Sequence, residues 1–224
     1  MLRASVILFL GLSITAEAQT APSAAEVSAY VGLHAAAQSG DVSMIRALLA
    51  KGADPDARDP AGRTPAHVAA FASHDAALRA LAMAGADMNA LEDDRYDVLT
   101  IAAVADDPAM VSLALELGNR PDLITSVYDG TALIAAAHLG HHDVVRRLIA
   151  GGAPLDHVNN LGWTALIEAV ILGDGGHDHV LTVQYLVDAG ADVTIPDRDG
   201  ITPLQHAESR QYQRIVDIIA AAGN

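Results

Sequence analysis

Histidine and the carboxylates are the side chains in this sequence able to hold a metal or move a proton. There are ten histidines, 28 Asp+Glu and no cysteine in 224 residues. The densest grouping is Asp174-Gly175-Gly176-His177-Asp178-His179. Imidazole nitrogen and carboxylate oxygen suit Zn²⁺ or a similar divalent ion, so Asp174, His177 and His179 are the candidate metal ligands. The competing reading is an exposed polar loop, loosened by Gly173, Gly175 and Gly176. Without cysteine there is no thiol catalysis, thiolate zinc site or disulfide. No G-x-S-x-G elbow, Walker-type phosphate loop or H-E-x-x-H occurs. Asp54, Asp56, Asp59, Asp87, Asp93, Asp94, Asp197 and Asp199 stand in turn-like stretches, where a carboxylate bonds the backbone two residues on. No catalytic residue and no cofactor are assigned.

Whatever these side chains do, the elements positioning them are built from small apolar residues. Hydrophobic residues make up 51% of the chain and aromatics only 4%, which favours closely packed helices of Ala, Leu, Val and Ile. Thirteen basic residues against 28 acidic ones give a net charge of −15. That sign argues against nucleic acid and anionic lipid, both of which need a basic face. It favours solubility or a basic protein partner.

The leading residues read as an address. Arg3 precedes an uncharged, mostly apolar run from Ala4 to Ala16, and Ala16-Glu17-Ala18 offers small residues at both outer positions. This is the pattern of a secretory signal peptide over 1–18, with Gln19 as the mature N-terminus. An uncleaved anchor and a buried helix are the alternatives, although the run falls short of the ~20 residues that span a bilayer. The expected location is secreted or periplasmic. Arg in place of Lys and the abundance of Ala are compatible with a bacterial source.

Two landmarks recur through the remainder. Gly52-Ala53-Asp54, Gly85-Ala86-Asp87, Gly152-Ala153-Pro154 and Gly190-Ala191-Asp192 form one, with Gly118-Asn119-Arg120 in register but degenerate. The other is a column of Thr64, Thr131, Thr164 and Thr202, shared by Val31 and Asp97, at spacings of 33, 33, 34, 33 and 38. Thr131 is a good N-cap for the helix formers Ala132 to Ala137, and Gly140 ends them. Val144, Val145, Leu148 and Ile149 then stripe one face of a second helix. Asp107-Pro108 reads as an N-cap followed by proline at the first helical position, and Ser23-Ala24-Ala25-Glu26 as a capping box.

With Thr64-Pro65-Ala66-His67 and Thr202-Pro203-Leu204, the chain resembles the ankyrin-repeat family over roughly residues 25–224. The resemblance implies an all-α solenoid of stacked helix–turn–helix units joined by hairpin loops, the mature domain covering 19–224. Six units follow, at about 25–59, 60–93, 94–126, 127–159, 160–197 and 198–224. No unit can bury its apolar face alone, whereas stacking makes a continuous core. The first and last act as caps, and unit three, with Asp97-Val98 for Thr-Pro, is expected to be the softest internal one. The family uses its signature histidines, here His34, His67 and His141, for hydrogen bonds between repeats. Unit five carries five extra residues between its helices, the candidate metal segment.

Ankyrin arrays grip partners with hairpin tips and the exposed face of the first helices. The positions implied here are Phe71, Val104, His138, Leu139, Ile171 and Leu172, with Tyr96, Tyr128 and the single Trp163 beside them. Scarce aromatics converging on one side make a hot-spot patch, unless they pack within the ladder. The expected function is an exported, monomeric, non-catalytic protein-binding module, with a protein partner and no nucleic acid. The alternative is a periplasmic metal-binding or stress-responsive accessory protein that uses the His-rich insertion.

Overall fold

The computed structural model describes residues 19–223; the expected signal segment 1–18 lies outside the described residues. Among the described residues, a short helix α1 (Ala24–Ala29) is followed by twelve helices in six pairs. The first helices are α2 (Gly32–Gln38), α4 (Pro65–Phe71), α6 (Val98–Val104), α8 (Ala132–Leu139), α10 (Ala165–Ile171) and α12 (Pro203–Ser209). The second helices are α3 (Val42–Ala50), α5 (Asp75–Met83), α7 (Pro108–Glu116), α9 (His142–Ala150), α11 (His177–Asp188) and α13 (Gln213–Ala222). Among the described residues the only β pairing is one isolated bridge, Thr125 with Gly130. The fold is all-α.

The helices start where their caps dictate. Thr131, Thr164 and Thr202 accept from the backbone N–H of Ile134, Ile167 and Gln205, each satisfying an otherwise orphaned donor. Asp107 caps α7 with Pro108 behind it, and Ser23 and Glu26 close a capping box on α1. Gly140 ends α8 in the left-handed region, φ 72°.

Stacking makes two layers. Each first helix packs on the first helix of the next unit, and each second helix on the next second helix. Alanines such as Ala37, Ala69, Ala103, Ala136 and Ala169 are fully buried and let the first helices approach closely. Ile45, Leu78, Leu81, Met110, Leu148, Leu186 and Ile215 fill the seam with the second layer. Each such side chain contributes about 1.5–3 kcal/mol on burial.

Polar side chains fix the step between units. His34 Nε2 bonds the Arg63 carbonyl at 2.9 Å, and His67 Nε2 reaches the carbonyls of Ala90 and Tyr96 at 3.0 and 3.1 Å. At the second layer, His74 bonds the Gln38 carbonyl (3.1 Å) and His141 the Ala103 carbonyl (2.9 Å). Tyr212 does the same to Gly173 through its hydroxyl (2.9 Å). The hairpin acids do turn chemistry: Asp59 Oδ1 accepts from the N–H of Ala61 and Arg63, and Asp197 Oδ1 from those of Asp199 and Ile201.

The insertion in unit five is not a free loop. Gly176 is the N-cap of α11, so His177, Asp178 and His179 are its first turn, and α11 has 12 residues where α3, α5, α7 and α9 have 9. His179 Nε2 bonds the His138 carbonyl at 3.1 Å, the reach-back made elsewhere by His74 and His141. Its ring lies so close over Gly140 that a Cβ there would stand 2.9 Å from it. The extra turn moves this contact along the helix and leaves the stacking intact.

Candidate functional site

A cavity of about 260 Å³ opens on the first-helix face of units three to five. The ends of α6, α8 and α10 and the hairpins around 125–131 and 159–163 line it. Tyr96, Val104, Tyr128, His138, Leu139, Trp163 and Leu172, all named from the sequence as binding positions, meet there. Phe71 does not; it packs on the core at the end of α4, in the adjoining unit two. Ile171 ends α10 half-buried and is outside the lining.

Of the hairpin aromatics, Tyr96 takes the alternative of packing within the ladder. It is only 9% exposed and belongs to the core. Burial pushes its phenol above the usual tyrosine range, so the ring is a neutral wall. Tyr128, Trp163, Val104, His138 and Leu172 are half-buried and Leu139 is exposed, so these side chains remain accessible. Trp163 is held by its backbone, its N–H donating to Asn159 Oδ1 at 3.0 Å.

The floor of the cavity is polar. Glu168 on α10 is buried, its side chain 6% exposed. Its Oε1 accepts from Asn159 Nδ2 at 2.7 Å and its Oε2 from His138 Nδ1 at 3.0 Å. The first bond ties the helix to its own hairpin, and the second joins α10 to α8. Asn159 serves the hairpin as Asp59 and Asp197 do, but its amide also donates, which an aspartate could not do. At the far end, Gln19 Nε2 donates to the Thr100 carbonyl at 3.0 Å. Thr20 is held by Arg63, whose Nη2 donates to its carbonyl at 3.2 Å. The segment ahead of α1 therefore lies along the same face.

Glu168, Asn159 and Gln19 escaped the sequence reading. A signal for the first two exists. Asn159 and Glu168 are nine residues apart, as are Asp197 and His206, which pair at 2.7 Å one unit later with donor and acceptor exchanged.

The candidate metal ligands are not gathered at one point. Asp174 Oδ1 lies 3.2 Å from His179 Nδ1, whereas the His177 ring faces His142, with centroids 6.4 Å apart. Residues two apart on a helix project to opposite sides, so His177 and His179 cannot share an ion once α11 includes both. Among the described residues no group of three or more His, Cys, Asp or Glu is placed to hold a metal.

Comparison with known proteins agrees with the geometry. A family model described as ankyrin repeats, in three copies, matches residues 24–92 and 99–197. The chain belongs to the ankyrin-repeat family. It is similar to the ankyrin repeat protein YahD of Escherichia coli (strain K12), 33% identical over 190 residues, which are 84% of this chain and 94% of that one. The crystal structure of an ankyrin repeat domain from Acinetobacter baumannii AYE superposes with a TM-score of 0.81 at 42% identity, covering 85% of this chain and 97% of the other. The ankyrin repeat domain of Bcl-3 does so with a TM-score of 0.76 at 30% identity, over 84% and 81% of the two chains. The matching family is one of interaction repeats, and the bacterial relatives share nearly the full length of the array.

Proposed function

We propose that this ankyrin-repeat chain is an exported, non-catalytic module that grips another protein with the first-helix face of units three to five. The observation that carries this reading is one cavity collecting Tyr128, Trp163, Leu139 and Leu172 from successive repeats in a chain with so few aromatics. A preformed face loses little entropy on binding. The charge of −15 steers a basic partner and speaks against nucleic acid. Arg3, the apolar run and Ala16-Glu17-Ala18 support export, with a mature chain beginning at Gln19 in the periplasm or outside the cell. Among the described residues no helix is long and apolar enough to cross a membrane.

The test is paired capture with the mature chain and its Trp163→Ala variant from cell-envelope extract. A protein held by the first and lost by the second, at an unchanged melting temperature, supports the reading. A Trp anchor typically contributes ~2 kcal/mol, about thirtyfold in affinity. A lowered melting temperature with binding preserved identifies Trp163 as a brace between hairpins and overturns it.

A further inference from the structure

The cavity has a chemistry more specific than an apolar patch. A carboxylate at position 168 is peculiar to unit five: the equivalent positions are Val68, Ile101 and Ala135 in units two to four and His206 in unit six. The two groups that bond Glu168 are an amide and an imidazole. A carboxylate offers about four lone-pair sites, so two remain for a further donor. No Lys or Arg lines the cavity, and Glu168 is the one Asp or Glu that does, among the described residues.

Tyr96, Tyr128 and Trp163 line the same cavity, and aromatic ring faces attract cations. Val104 and Leu172 add an apolar wall suited to a methylene stem. Size narrows the choice. About 260 Å³ falls below the roughly 300–1,000 Å³ typical of pockets for whole small ligands. It suits one long side chain entering from a surface laid against the repeats.

We infer that the cavity is the anchor site for a single cationic side chain, lysine or arginine, presented by a basic segment of the partner protein. The Glu168 carboxylate takes the charge and the three rings surround the end of the stem. This inference rests on the interaction reading above and names the chemistry of the partner.

The single Trp163 gives a direct readout, because it lines the site. The probes are capped pentapeptides Gly-Gly-X-Gly-Gly, with X lysine, arginine or norleucine, titrated into the mature chain while tryptophan emission is followed. Saturable changes are expected for lysine and arginine, with norleucine at least tenfold weaker. Glu168→Gln should bring the lysine peptide down to the norleucine level. Should that variant lose its fold through Asn159 and His138, Tyr128→Leu leaves both bonds alone. It should weaken the lysine peptide severalfold and the norleucine peptide little. Norleucine binding as tightly as lysine, or a lysine response no larger than that of equal sodium chloride, overturns the inference. The two readings fail separately. Flat peptide titrations beside a partner lost on Trp163→Ala remove the cation site and keep the interaction face. Lysine-selective binding with no Trp163-dependent partner does the reverse.

Discussion

Asn119 Nδ2 donates to Asp97 Oδ2 at 2.7 Å, and each residue stands where its repeat has abandoned the pattern of the others. Asp97 replaces the capping threonine of unit three and still caps α6 through Oδ1, which accepts from Thr100 N–H at 2.8 Å. Asn119 replaces the alanine of the Gly-Ala-Asp landmark. Burial pushes the Asp97 carboxyl above the usual carboxylate range, and the Asn119 bond opposes that push. Unit three thus departs twice, with one departure satisfying the other.

That pairing predicts a coupling energy. Asp97→Thr should leave the buried Asn119 amide with only its long 3.4 Å bond to Asn89 Oδ1 and cost about 1–3 kcal/mol. Asn119→Ala should cost a similar amount. The double variant should recover at least about 1 kcal/mol of the sum in urea unfolding. Additive costs would show that the two changes are independent.

His67 predicts acid sensitivity. Its Nδ1 accepts from the Thr64 N–H at 3.0 Å, and its Nε2–H donates to two carbonyls, so the neutral ring is fully used. Burial depresses its pKa from 6.5 to about 4. The unfolded chain binds the proton first, so stability present above pH 6.5 is lost as pH falls toward 4. The full depression corresponds to about 3 kcal/mol. Melting temperature against pH, compared with His67→Asn, should show a shallower acid decline in the variant.

Asn159→Asp should be costly for a reason peculiar to unit five. It would set a second carboxylate about 2.7 Å from Glu168 Oε1 in a buried floor. A loss of about 2–3 kcal/mol at pH 7 is expected. The deficit relative to the unsubstituted chain should shrink on acidification, because a shared proton removes the repulsion between the two carboxylates. A pH-independent deficit would mean that only the amide donor mattered.

Gln19 competes with any visitor to the cavity, since its side-chain amide already bonds inside it. Gln19→Gly removes that group. The affinity of the lysine pentapeptide should rise two- to fivefold, the scale of one neutral hydrogen bond of about 1 kcal/mol or less. Unchanged affinity would mean that the leading segment and the ligand do not compete.

The repeat frame was legible because each landmark has a local cause. Thr131, Thr164 and Gly140 announce helix ends through caps that need only neighbouring residues. The stripe of Val144, Val145 and Leu148 announces the buried face. The floor of the site was not legible, because Glu168 gains its meaning from His138, 30 residues away, and from a hairpin amide. The sequence left open whether Tyr96 is accessible or packed within the ladder, because its burial depends on the cavity wall it forms in unit three. His179 was misread because glycines before it suggest a loop, whereas Gly176 is a helix cap.

The reach-back bonds of His74, His141, His179 and Tyr212 have a practical consequence for protein engineering. The pitch of the array is set by a side chain gripping a carbonyl one unit behind, not by the number of residues between the two helices of a unit. Compared with units two and three, unit five already carries two more residues between its helices and three more in α11, and α11 still docks on α9 and α13. The turn at Asp174 to Gly176 is therefore a natural port for splicing in foreign sequence, such as an affinity tag or a fluorophore-attachment peptide. Such a graft should keep the His179 grip on the His138 carbonyl, because His138 and Leu172, on either side of that contact, both line the cavity.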